Sequence, residues 1–225
     1  TGIAKTPVFE NRNLQWTGRL RYLDLGFFDE HLEEFEYQKD RVVKKRPLEN
    51  YRTLRSASSD KRSNGHLFLL AGSRNFAGAA MMSAQAALKA GVGLLTVGIP
   101  ESLHASFAAQ RPEAMWVPLP ETPEGGLALE GLGKIKSLLG PADAFATGPG
   151  LGKEAETHAL IREILKFFNG PSVLDADALQ ISILSQLKSA RGLVLTPHAG
   201  EFNRIANSRS PADRPHAHPP PPPPP

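Results

Sequence analysis

HLFLLAGSRNFAGAAMMSAQAALKA (residues 66–90), followed closely by LLTVGI (residues 94–99), decides the fold class. An uninterrupted apolar run of strand length, 66–71, meets a turn containing Gly72. A helical stretch over 78–90 comes next, and a second apolar strand follows at 94–99. The alternation continues downstream, with strands at 144–147, 172–174 and 193–195 and helices over about 155–168 and 179–187. The first of these helices carries Ala155, Ala159, Ile161, Ile164, Leu165 and Phe168 as an apolar stripe. Short strands with no polar face, separated by helices, predict a buried, mostly parallel sheet flanked by helices in an α/β domain.

The surrounding composition narrows the function classes. The 225 residues are 40% hydrophobic and 22% charged, as expected of a globular chain rather than a disordered or fibrous one. There is no cysteine, which removes disulfides, thiolate metal sites and a cysteine nucleophile, and fits a reducing, cytoplasmic setting. The net charge is +3, and its surplus lies before residue 66 without interleaved aromatics, so nucleic acid is not an expected partner. A membrane span is not expected either: the longest apolar stretch, 79–99, contains Lys89, Gly91, Gly93 and Gly98.

Four zones follow. Residues 1–29 end in an alternating strand-like run, LRYLDLGFF at 20–28. Residues 30–60 hold an acidic cluster (Glu30, Glu33, Glu34, Glu36) and a basic one (Lys44, Lys45, Arg46), and read as a linker. The α/β pattern occupies 61–207. The last zone, 208–225, closes with seven consecutive prolines, 219–225, and predicts extended or disordered chain.

Four polar turns fall at strand ends within the α/β zone. AGSRNFAGAA (71–80) places Gly72 and Gly78 before a helix, suited either to a close-lying anionic ligand or to a plain tight turn. TGPGLGKE (147–154) has three glycines in five residues, but matches neither a Walker A loop nor a dinucleotide fingerprint. VLDADAL (173–179) sets Asp175 and Asp177 two residues apart. If the strand continued, both would share a face and could hold magnesium; alternatively Asp177 caps the next helix, which leaves Asp175 the better candidate. LTPHAGEF (195–202) adds His198. In an open parallel sheet ligands bind beyond the carboxyl ends of the strands, so these turns count together.

In this order the four motifs resemble the NAD(P)H-hydrate dehydratase family, over about residues 60–206. The resemblance implies a ribokinase-like α/β fold, incomplete here at the C-terminus, and a nicotinamide-nucleotide repair activity. In that activity ADP or ATP, with Mg2+, phosphorylates the hydroxyl of the (6S)-hydrate of NADH or NADPH, and loss of phosphate restores the reduced cofactor. Ala79, Gly150 and His198 match positions that contact the hydrate. Asp175, chosen from its own strand-end position, and Lys61 in DKRSNG (60–65), which keeps the lysine where the family has His-Lys-Gly, are the candidates for the nucleotide-cofactor side. Residues 1–29, with Trp16-x-Gly18 and LDLGF (23–27), resemble the end of an NAD(P)H-hydrate epimerase domain. A bifunctional, homo-oligomeric parent is thereby implied.

The family continues with a Lys-Gly nucleotide segment and a Gly-Thr-Gly-Asp motif that supplies the general base. This sequence is proline-rich after about Asn207, so no catalytic residue is assigned and little or no dehydratase turnover is expected of it. ADP- or ATP-dependent consumption of the NADH hydrate at family-like rates would overturn that expectation. Two other classes fit the motifs less well: a ribokinase-like small-molecule kinase, and a non-catalytic copy retaining a nucleotide half-site.

Overall fold

A computed structural model describes Pro7, Asn13, Trp16, Thr17, residues 58–185, Leu187 and residues 192–207. The strand read at 20–28, residues 30–57 of the linker and the proline-rich zone lie outside the described residues. The chain divides into two compact units, Thr1–Arg55 and Ser56–Pro225; the second carries the α/β pattern.

That unit is built on β1 (His66–Leu70), α1 (Ala77–Ala90), β2 (Leu94–Pro100), α2 (His104–Gln110), β3 (Met115–Leu119) and α3 (Leu132–Leu139). It continues with β4 (Ala144–Thr147), α4 (Ala155–Phe167), β5 (Ser172–Leu174), α5 (Ile181–Leu184), β6 (Leu193–Leu195) and α6 (Ala199–Asn207). The six strands form one sheet in the order β3-β2-β1-β4-β5-β6, and every pairing is parallel. This is the mostly parallel α/β arrangement that the sequence predicts, with helices packed on both faces of the sheet.

Period-two alternation sends the side chains of the central strands to two separate cores. Phe68 and Leu70 of β1 and Phe145 of β4 pack with Ile135, Leu139, Leu160, Ile161 and Ile164 of α3 and α4. Leu69, Leu95, Val97 and Ile99 face the other way, onto Ala80 and Ala84 of α1 and Phe107 of α2. The strand order explains the division. The chain moves outward from β1 to β3, returns to β4 beside β1, then moves outward on the opposite side. Since parallel crossovers are right-handed, reversing direction puts the later helices on the opposite face.

Two expectations need correction, and one strand went unread. The stripe on α4 is rotated: Thr157, Leu160, Ile161 and Ile164 are its buried residues, whereas Ala155 is exposed. The helix expected over 179–187 is helical only over Ile181–Leu184, because a 3-10 turn at Ala176–Ala178 precedes it and Gln180 is its extended N-cap. Strand β3 gave no sequence signal, since Pro118 interrupts its apolar run; at the sheet edge a missing N–H costs no ladder bond.

Candidate functional site

The reversal of strand order lies between β1 and β4, where the turns following these strands diverge and leave a crevice. Hydrogen bonds tie the two turns together across its base. Thr147 Oγ1 donates to the Leu70 carbonyl at 2.9 Å. The Gly72 N–H donates to the Pro149 carbonyl at 2.9 Å, and the buried Ser73 hydroxyl donates to the Gly150 carbonyl at 2.8 Å. Above these contacts is a cavity of about 460 Å³ lined by Phe76, Ala79, Gly150, Gly152, Lys153 and Asp177.

Gly150 is required where it stands. Its φ is +68°, and a Cβ there would lie 2.6 Å from the Phe76 carbonyl oxygen and 2.8 Å from the Ala79 Cβ. The absent side chain lets the glycine turn close onto the first residues of α1. It thereby brings together Ala79 and Gly150, two of the positions read from the sequence.

Asp177 also reaches this turn, though not in either of the ways its spacing suggested. Strand β5 stops at Leu174, and Ala176 has φ +45°, so Asp175 and Asp177 are not alternate residues of a continuing strand. Nor does Asp177 cap a helix: its Oδ2 accepts the Gly152 N–H at 3.0 Å. Opposite, His158 Nε2 lies 3.3 Å from the Gly152 carbonyl, so the glycine is gripped on both sides. Asp175 is outside the cavity lining, where its Oδ1 accepts the Thr196 hydroxyl at 2.7 Å. The two carboxylates thus do not share a strand face, and each keeps one oxygen outside these hydrogen bonds, so either would meet a magnesium ion singly, alongside the phosphates of a bound nucleotide.

His198 is likewise outside the lining, on the turn after β6. Its Nδ1 accepts the Gly200 N–H at 3.0 Å, and so in this arrangement carries no proton; Nε2 lies 3.3 Å from Glu201 Oε1. Glu201 Oε2 in turn accepts the His198 N–H at 2.9 Å. The pair closes the start of α6 in the manner of a capping box, with histidine in the place usually held by serine or threonine. Lys61 lies at the other end of the sheet: its carbonyl packs against Gly93, just before β2, whereas the cavity is beyond the carboxyl ends of the strands. The structure therefore brings Ala79 and Gly150 together, and leaves His198, Asp175 and Lys61 outside the cavity wall.

Sequence reading missed the strap on the outer side of the crevice. Arg74 donates to Glu121 Oε2 at 2.9 Å, and Glu121 also accepts the Ser102 N–H. Burial raises the Glu121 carboxyl, but the Ser102 and Arg74 hydrogen bonds and the Arg74 charge outweigh it and hold the group below its ordinary value of 4.5. A carboxyl depressed by folding stabilises fully above its unfolded value, and loses that contribution as pH falls through the folded one. Wild type should accordingly exceed Glu121→Gln in stability near neutral pH, with the gap closing as pH falls below the ordinary value of 4.5 and through the lower folded one. Urea titrations across that range check it; a gap independent of pH would contradict the strap.

A family model described as NAD(P)H-hydrate dehydratase matches residues 67–218. The bifunctional NAD(P)H-hydrate repair enzyme Nnr of Moorella thermoacetica is 35% identical over 193 residues, which are 84% of this chain and 36% of that protein. The protein of the same name from Gloeobacter violaceus is 35% identical over 223 residues, 95% of this chain and 42% of its own length. The chain thus spans about two-fifths of the length of these relatives. Among solved structures, a ribokinase-like superfamily protein from Enterococcus faecalis superposes with a TM-score of 0.65 at 27% identity, over 74% of this chain and 57% of that one. The ADP/ATP-dependent NAD(P)H-hydrate dehydratase of Bacillus subtilis, co-crystallized with ATP/Mg2+, gives 0.55 at 30% identity, over 68% and 51%.

Proposed function

The chain belongs to the NAD(P)H-hydrate dehydratase family, and from that membership we propose that the crevice between β1 and β4 holds the hydrate of NADH or NADPH for its ADP- or ATP-dependent dehydration. The terminal phosphoryl group of the nucleotide passes to the hydrate's hydroxyl. The C–O bond then breaks, and phosphate leaves as a proton is lost from the neighbouring ring carbon, which restores the reduced nicotinamide. Mg2+ would enter with the phosphates of the nucleotide co-substrate, whose negative charge it would offset.

The observation that carries the reading is the meeting of Ala79 and Gly150, 71 positions apart, across one cavity wall. Two of the three residues matched to hydrate contacts thus line one cavity, whose bare glycine backbone would suit a large, polar, hydrogen-bonding nucleotide. His198 lies outside this wall with Nδ1 bound to the Gly200 N–H and Nε2 beside Glu201, so a hydrate contact from Nε2 would require the Glu201 pairing to give way.

Residues 1–29 are read as the end of an epimerase domain and 30–60 as its linker to the dehydratase zone, supported by relatives called bifunctional that align over 95% of the chain. A homo-oligomeric parent and a cytoplasmic location complete the reading. No helix among the described residues is long and apolar enough to cross a membrane.

Calorimetric titration with the NADH hydrate (NADHX), alongside NAD+ as a control, tests it. Saturable binding of the hydrate that is much tighter than that of NAD+ is expected, and equal or absent binding would overturn the assignment. A stable phosphorylated product on adding ATP would instead favour a small-molecule kinase.

A further inference from the structure

Phe76 and Lys153 stand on different turns of the same cavity, and we propose that they act as a clamp: Phe76 stacks on a planar ring of the bound nucleotide while Lys153 takes its phosphate. The clamp deepens the nicotinamide-nucleotide reading of this cavity and rests on it. Phe76 belongs to neither hydrophobic core, pairs with no other ring among the described residues and is 56% exposed. Its backbone is nonetheless fixed, with its carbonyl against Gly150 and its N–H donating to the Ser73 carbonyl at 3.0 Å. An aromatic side chain with a fixed backbone, outside both cores and unpaired with any described ring, at the wall of a cavity, is suited to serve as a stacking platform.

Lys153 is the one cation in the lining, and its ammonium makes no hydrogen bond or ion pair among the described residues. Arg74, on the Phe76 turn, is paired with Glu121, and the Asp177 carboxylate is held by the Gly152 N–H rather than by Lys153. The cavity therefore offers an aromatic face together with an ammonium that no carboxylate among the described residues holds in an ion pair, with the Asp177 carboxylate, tied to the Gly152 N–H, on the same lining. That pairing selects a planar heterocycle bearing phosphate over an unphosphorylated nucleoside or a simple sugar phosphate. Lysine contacts phosphate as a mobile point charge, which suits a loop position better than the fixed fork of arginine.

The test uses titration calorimetry on the full chain with two probes, NADHX and AMP, for wild type and the variants Phe76→Ala, Phe76→Trp, Lys153→Met and Lys153→Arg. Phe76→Ala and Lys153→Met should each weaken both probes by about tenfold or more, whereas Phe76→Trp and Lys153→Arg stay within about threefold of wild type. Lys153→Met should also flatten the salt dependence of binding. Affinities within about twofold of wild type in both truncations, with an unchanged salt dependence, would overturn the clamp, as would failure of wild type to bind either probe. Binding of AMP with these dependences, without binding of NADHX, would leave the clamp standing and sink the hydrate reading. Both side chains are exposed, so the four variants should fold as wild type does.

Discussion

Gly148→Ala should cost about 4 kcal/mol or more, enough to remove much of the ~5–15 kcal/mol that holds a domain together. The residue has φ +130°, where a side chain is itself strained by about 1–3 kcal/mol. Steric overlap costs more: the new Cβ would stand 1.7 Å from the Asp175 carbonyl oxygen and 2.6 Å from its carbonyl carbon, and both atoms are backbone. Relief requires the ends of β4 and β5 to part. That would break the hydrogen bond from the Asp175 N–H to the Thr147 carbonyl, at 3.0 Å, and pull Asp177 from the Gly152 N–H. Gly78→Ala is the natural control: it falls inside α1, has nothing within 4 Å of the added methyl, and should be neutral or stabilising by up to about 1 kcal/mol. Urea midpoints of the two variants measure the contrast, and a loss below about 1 kcal/mol for Gly148→Ala would contradict the packing described for this turn.

Gly150→Ala should act on the site more than on the fold. Its methyl would press on the Phe76 carbonyl at 2.6 Å and the Ala79 Cβ at 2.8 Å, so the glycine turn must lift away from α1. Overpacking and the positive φ of +68° together suggest a loss of about 2–3 kcal/mol. The same displacement strains the Ser73–Gly150 hydrogen bond and moves one cavity wall against the other. NADHX affinity should fall by about tenfold or more in protein that is still folded at low denaturant; near-wild-type affinity would show that this wall does not touch the ligand.

The sheet was legible because each of its central strands is an apolar run bounded by glycine or a polar turn, and strands 144–147, 172–174 and 193–195 stand as read. Strand β3 was not, because an edge strand with Pro118 and a half-exposed Met115 lacks both the run and the alternation. The glycine turns were recognisable one by one. Their meeting was not, since it depends on β1 lying beside β4, a neighbourhood set by strand order rather than by sequence distance. The Glu at the third position after His198 was a visible capping signal, obscured because histidine is an unusual cap. No sequence pattern marks Asp177 as the acceptor for Gly152, 25 positions away; that contact requires the positive φ of Ala176 to turn the chain out of the strand.

Whether the ligand lies at the β1/β4 crevice is decided by amide NMR of the chain titrated with NADHX. Saturable shifts should concentrate at the amides of Phe76, Ala79, Gly150, Gly152 and Lys153, all of which line the cavity. Shifts gathered instead around Lys61 and Gly93 at the opposite sheet edge, or none at saturating ligand, would contradict that placement.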